Sequence, residues 1–90
     1  KNKVVALDEL CKKYNLSKDE IAYMGDDLPD LCVLEQVGLS ACPNDASYEV
    51  QDVCNFISSK AGGRGAVREF CDFILKAKHI SWKTLNSDKQ

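Results

Sequence analysis

The sequence predicts an α/β fold, a parallel sheet with helices on both of its faces. Three observations carry that expectation. Short apolar runs suited to buried strands alternate with helical patterns, an order that builds a parallel sheet covered on both sides. The runs stop at Gly25, at Pro43 and before the glycine-rich stretch "KAGGRG". The composition, 44% hydrophobic and 29% charged, is that of a globular chain and not of a disordered one.

Each element has its own justification. Ala6, Leu7, Leu10, Cys11 and Tyr14 recur at helical spacing, which predicts a first helix from Lys3 to Tyr14. "LSKDE" carries a Ser17-to-Glu20 capping-box pattern, enough for a single turn. Ile21 to Met24 is a short buried strand. Leu28 to Val37 has helical periodicity closed by Gly38 as the residue after the helix. Leu39 to Cys42 is the second strand. "NDASYEVQDV" suits a short helix capped by Asn44 or Asp45, and Asn55 to Ser58 is the third strand. Val67, Phe70, Cys71, Ile74 and Leu75 then mark an amphipathic helix to about Lys78. The expected division is one domain unit over 1–78 and a polar tail over 79–90.

Bulk properties exclude several classes. Twelve basic and fourteen acidic residues leave a net charge of −2, so no global field favours nucleic acid. No apolar run is long enough to span a bilayer. Five cysteines, an odd number with no CxxC pair, sit in apolar runs and are expected to be reduced core residues of a cytoplasmic protein. The opening "KNKVVALDEL" has no Met and suggests an internal start. Ninety residues amount to one small domain or part of a larger one.

The chemistry is concentrated in "IAYMGDDLPD", where Asp26, Asp27 and Asp30 crowd behind the first strand. Ligands of parallel α/β sheets bind at the carboxyl ends of the strands, which is where this cluster falls. Asp27 as helix cap and Asp30 in the first turn are accounted for by the helix dipole. Asp26 is left over on the loop. A hard cation such as Mg²⁺ takes one or two protein carboxylates plus waters and a substrate phosphate. From spacing alone, cation site and plain helix cap both remain open.

"GGRGAVRE" places Gly62, Gly63 and Gly65 around Arg64 and leads into a helix. Such a segment lets the backbone approach an anion, with Arg64 adding bidentate contacts, or it is a mobile loop with a solvated arginine. Arg68 and Glu69 read as surface residues of the helix, and His79 as a surface residue beyond it. No Ser/His/Asp or Cys/His arrangement can be assembled.

Taken together, "KNKVVALDEL", "IAYMGDDLPDLCVLEQVGLSACPNDASYEV" and "AGGRGAVREFCDFIL" resemble the C-terminal half of the 3-deoxy-D-manno-octulosonate-8-phosphate phosphatases. These are cap-less members of the haloacid dehalogenase superfamily. The C-terminal module of CMP-sialic acid synthetases, a non-catalytic assembly module, is the nearest alternative. The resemblance implies a Rossmann-like fold, of which only the C-terminal half is present, and a Mg²⁺-dependent phosphatase acting on a sugar-acid phosphate through an aspartyl-phosphate. It implies a cytoplasmic homotetramer serving lipopolysaccharide synthesis. Lys3 matches the lysine that steadies the phosphate and the nucleophile's charge. Asp26 matches the Mg²⁺ ligand, Asp27 and Asp30 its acidic neighbours, and Arg64 with Gly63 and Gly65 the substrate-side loop. The family's DxDGV motif, which holds its nucleophile and general acid, has no counterpart here, so the N-terminal half is expected to be a separate partner or a preceding segment.

Overall fold

In the computed structural model, the backbone of residues 3–89 and the side chains of residues 3–78 are described. Helix α1, Lys3–Tyr14, forms over the span its periodicity predicts. It ends where Asn15 enters the left-handed region at φ 54° and the Leu16 N–H donates to the Cys11 carbonyl at 2.8 Å. That is the ordinary stop for a helix whose last carbonyls need donors, with Asn tolerating the positive φ. A 3-10 turn, Lys18–Glu20, follows, and the Glu20 carboxylate accepts the Ser17 N–H at 2.8 Å as the capping box predicts.

Three parallel strands make one sheet in the order β1-β2-β3: β1 Ala22–Met24, β2 Leu39–Cys42 and β3 Phe56–Ile57. Tyr23 pairs with Ser40, Met24 with Ala41, and Ala41 with Phe56. Side chains alternate along a strand, so Tyr23, Ser40 and Cys42 face one side and Met24, Ala41 and Phe56 the other. Helices α2, Leu31–Leu34, and α3, Tyr48–Val53, cover the first side. There Leu34, Cys42, Ala46 and Val50 form the buried core, with Tyr23, Leu31, Val53 and Cys54 packed on it. Helix α4, Ala66–Lys89, lies on the second side, where the Phe70 and Phe73 rings sit 5.4 and 4.7 Å from the ring of Phe56. Among the described residues no helix is long and apolar enough to cross a membrane.

Several expectations need correction, some of them for a long-range reason. The helix predicted from Leu28 to Val37 is a 3-10 turn, Leu28–Asp30, followed by the four residues of α2. The chain must return to the amino end of β1 to enter β2 in register, so helix winding stops early. Gly38 is not a left-handed cap. Its N–H donates to the Lys18 and Ile21 carbonyls at 3.0 and 3.1 Å. A Cβ there would lie 2.0 Å from the Asp19 carbonyl oxygen.

Helix α3 is preceded by Ser47 in extended conformation, not capped by Asn44 or Asp45, which are engaged across the sheet end. The ends of the third strand are taken by other bonds. The Asn55 side chain accepts the Ser40 N–H at 3.0 Å, and the Ser58 hydroxyl reaches Glu69. Helix α4 continues to Lys89 rather than ending near Lys78. The side chains of the expected tail, His79 included, lie outside the described residues. The cysteines are free, but only Cys42 is buried; Cys32 and Cys71 are exposed and not core residues.

Candidate active site

The site starts with the turn behind β1. Asp27, extended at φ −133°, caps the 3-10 turn, and its carboxylate accepts the Leu28 N–H at 2.9 Å. That much is local and follows from the sequence. Asp30 does more than sit in the first turn. It is 4% exposed and its carboxylate accepts from four donors. Oδ2 takes the Asp26 and Asp27 N–H groups at 3.1 and 3.3 Å. Oδ1 takes the Lys3 ammonium at 2.6 Å and the Tyr23 hydroxyl at 3.0 Å. A buried carboxylate is tolerated only when its lone pairs are satisfied in this way.

Gly25 makes the arrangement sterically possible. A Cβ at that position would lie 2.6 Å from the Asp30 Cβ and Cγ and 2.7 Å from Oδ2. The glycine of "GDD" is there because Asp30 packs against its α-carbon, not because of a positive φ.

The charges follow from these contacts. Burial pushes the Asp30 carboxyl up, but hydrogen bonds from Lys3, Tyr23 and the two backbone N–H groups outweigh it and hold it below the ordinary carboxylate value. The hydrogen bond to Asp30, helped by the field of Tyr23, raises Lys3, so its ammonium stays charged. Burial first, then the bond to Asp30, raises the Tyr23 phenol and keeps it a donor. Asp26 is exposed and its carboxylate has no hydrogen bond or ion pair among the described residues.

Opposite the aspartates stands the loop before α4. Gly63 and Gly65 adopt φ values of +75° and +104°, which side chains rarely tolerate. The loop is tied to the segment after β2 by Asp45, whose Oδ1 accepts the Gly62 N–H at 2.9 Å. Glu69, in the first turns of α4, accepts the Ser59 N–H at 2.8 Å and both serine hydroxyls of Ser58 and Ser59. Those hydroxyls, with the Ser59 N–H, hold its carboxyl below the ordinary range. Glu69 thus anchors α4 to the end of β3 and is not a free surface residue. Arg68 is one, at a 3.4 Å pair with Asp72.

Between these two walls, at the carboxyl ends of the strands, lies an open cleft of about 280 Å³. Lys3, Tyr23, Asp26 and Asp30 line one wall, and Pro43, Gly62, Gly63, Ala66 and Val67 the other. The structure therefore brings together Lys3, Asp26, Asp30 and Gly63. It leaves Asp27, Arg64 and Gly65 outside the lining. Arg64 is exposed, with its N–H donating to the Ala61 carbonyl at 3.0 Å. Tyr23, Asp45 and Glu69 were not anticipated as part of the site or its support, and no local motif marks them. Among the described residues, no group of three His, Cys, Asp or Glu side chains could hold a metal ion by itself.

The chain is similar to several known proteins. Residues 1–70 match the family described as haloacid dehalogenase-like hydrolase. Over 77 residues the chain is 43% identical to the 3-deoxy-D-manno-octulosonate 8-phosphate phosphatase KdsC of Escherichia coli (strain K12), covering 86% of this chain and 41% of that protein. The crystal structure of the corresponding phosphatase from Yersinia pestis is similar at a TM-score of 0.84, with 42% identity over 87% of this chain and 42% of that one. A Moraxella catarrhalis phosphatase, solved with a magnesium ion, a phosphate ion and a KDO molecule, gives the same TM-score of 0.84 at 36% identity, over 99% of this chain and 51% of that one. The chain spans about 41% of the length of the curated relatives it matches. The resemblance read from the motifs therefore holds. The assembly-module alternative gains no support from these matches.

Proposed function

Because the chain belongs to the haloacid dehalogenase-like hydrolase family, we propose that it supplies the C-terminal half of a phosphatase active site. The substrate is the phosphate monoester of a 3-deoxy-2-keto sugar acid, 3-deoxy-D-manno-octulosonate 8-phosphate. The observation that supports this best is the cleft itself, where a charged Lys3 faces a glycine-lined loop and the Asp26 carboxylate has no hydrogen bond or ion pair among the described residues.

Each residue has a role that its contacts make reasonable. Lys3 uses one ammonium proton on Asp30 and keeps two for the phosphoryl oxygens. Its charge attracts the dianionic ester and offsets charge that develops during transfer. Asp30 holds that lysine and the Asp26 peptide with one carboxylate. The loop at Gly62 and Gly63 presents backbone to the substrate side, and Arg64 contributes a contact to the sugar carboxylate when the loop is occupied.

Mg²⁺ fits the donor chemistry. Asp26 offers an uncommitted carboxylate oxygen, the ligand a hard cation prefers, and the remaining ligands would be waters, phosphate oxygens and residues outside this chain. When bound, such an ion neutralises phosphoryl charge. The nucleophile is likewise supplied from outside these ninety residues. The same reading makes the complete protein a cytoplasmic homotetramer of lipopolysaccharide synthesis.

The test is Asp26→Asn in the complete protein, assayed for phosphate release over a Mg²⁺ titration. Turnover should collapse, and the Mg²⁺ needed for any residual activity should rise, because a negative ligand is lost. Asp27→Asn serves as the control, since asparagine caps about as well as aspartate. Equal turnover of wild type and Asp26→Asn at limiting Mg²⁺ would refute the assignment.

A further inference from the structure

We infer that Tyr23 is a positioning residue for the proposed phosphoryl chemistry: its hydroxyl fixes the rotation of the Asp30 carboxylate, and with it the places of Lys3 and the Asp26 peptide. This rests on the phosphatase reading of the cleft. Four bonds converge on the Asp30 carboxylate. Oδ2 is held by two backbone N–H groups, and Oδ1 by one lysine and one tyrosine. The two Oδ1 donors differ in stiffness. The Lys3 side chain is 48% exposed, and an ammonium on a four-carbon stem follows whatever acceptor it finds. Tyr23 is the middle residue of β1, its body packed on the Leu34–Val50 core, and only two torsions separate its hydroxyl from the sheet.

The rigid donor therefore sets the carboxylate, and the flexible one adapts. The two backbone bonds, at 3.1 and 3.3 Å, both meet Oδ2, so the place of Oδ1 is left to the lysine and the tyrosine. A carboxylate free to swing about its Cβ–Cγ bond would carry the lysine with it and relax the turn that presents Asp26. Misplacing a charge-stabilising group costs aligned transfer more than it costs binding, because attraction to a dianion persists over a range of positions.

The experiment is Tyr23→Phe in the complete protein, which removes one oxygen and keeps the ring in the core. kcat should fall about tenfold, as loss of one hydrogen bond to a charged group implies, while KM stays within about twofold. In an Asp30→Asn background the same substitution should cost nothing further, since the two residues act as a unit. A purely structural tyrosine would instead lower the denaturation midpoint and leave kcat and KM unchanged. That result, or independent multiplication of the two losses, would overturn the inference.

A second measurement needs no turnover. The Lys3 ammonium resonance should show faster proton exchange with water in Tyr23→Phe than in wild type, and equal exchange would overturn the proposal. A wild-type protein that hydrolyses no phosphate monoester would remove the proposed reaction, and the Lys3 measurement would still decide whether Tyr23 positions it.

Discussion

Three glycines line the cleft, and alanine at two of them, Gly25 and Gly62, should have very unequal consequences. At Gly25 the added methyl would stand 2.6 Å from two Asp30 carbons, where ordinary contact begins at 3.4 Å. Asp30 would have to retreat by roughly 0.8 Å, and its backbone leaves little room. A retreat of that size takes Oδ2 out of reach of the Asp26 and Asp27 N–H groups, now at 3.1 and 3.3 Å. Overpacking of this kind costs about 1–3 kcal/mol, and hydrogen bonds to a charged group about 1.5 kcal/mol or more each. Together these come to about 4 kcal/mol or more, a large share of a domain's roughly 5–15 kcal/mol. At Gly62 the nearest atoms to an added methyl are at 3.5, 3.6 and 3.8 Å, ordinary contacts, and φ lies outside the forbidden region. Alanine there should change stability by less than about 0.5 kcal/mol. Urea unfolding of the complete protein, fitted with a common slope, compares the two directly. Equal midpoints for Gly25→Ala and Gly62→Ala would refute the claim that Asp30 packing requires the glycine.

Other consequences can be checked separately. The Glu69 carboxyl is held below its ordinary value of 4.5 by Ser58 and Ser59. Its contribution to stability is therefore complete above that value and fades as pH falls through the lowered one. Glu69→Gln should flatten the fall in melting temperature between about pH 5 and pH 3, and an unchanged acid slope would count against the anchor. Arg64→Ala should raise KM for the sugar-acid phosphate more than for a small artificial ester, which lacks the carboxylate; equal losses on both would place Arg64 at the phosphoryl group or in folding. The ninety residues alone should release no phosphate with Mg²⁺ and should self-associate in sedimentation. β1 is an edge strand, and beside it an apolar groove of about 360 Å³ runs along Ala6, Leu7, Leu10, Ile21 and Val33. A monodisperse, active ninety-residue chain would refute both expectations.

The order of strands and helices was legible because it depends on local periodicity and on glycine and proline punctuation. Once that order is known, the carboxyl ends of the strands are known too, and so is the place of the cleft. Element ends were less legible wherever a distant partner decides them. Gly38 looks like a helix stop but is there for the Asp19 carbonyl, and Asn55 leaves its strand to bond Ser40. The site divides in the same way. Asp27 as cap is a neighbour-to-neighbour interaction and could be read directly. Tyr23, Asp45 and Glu69 work across separations of 7, 17 and 10 residues, at spacings no motif records. Asp26 could be singled out by spacing as the aspartate left over from the helix cap, but a role for it, as for Lys3, came only as what the resemblance implies.

The crowding of Asp26, Asp27 and Asp30 also resolves into three separate solutions to one electrostatic problem. Asp27 spends its charge on a helix end, and the turn supplies a donor at 2.9 Å. Asp30 is taken out of solvent and given four donors, one of them a cation. Asp26 alone keeps both oxygens uncommitted among the described residues, at the lip of the cleft and next to a peptide N–H that Asp30 has already claimed. Under the proposed function, helix cap and cation site are therefore not rival readings of the cluster, because different members would serve each. The arrangement also ties them together. Any change at Asp30 must disturb the lysine, through Oδ1, and the turn carrying Asp26, through Oδ2. A variant there should lose phosphate attraction and metal response in parallel, whereas changes at Asp26 should leave the Lys3–Asp30 pair intact.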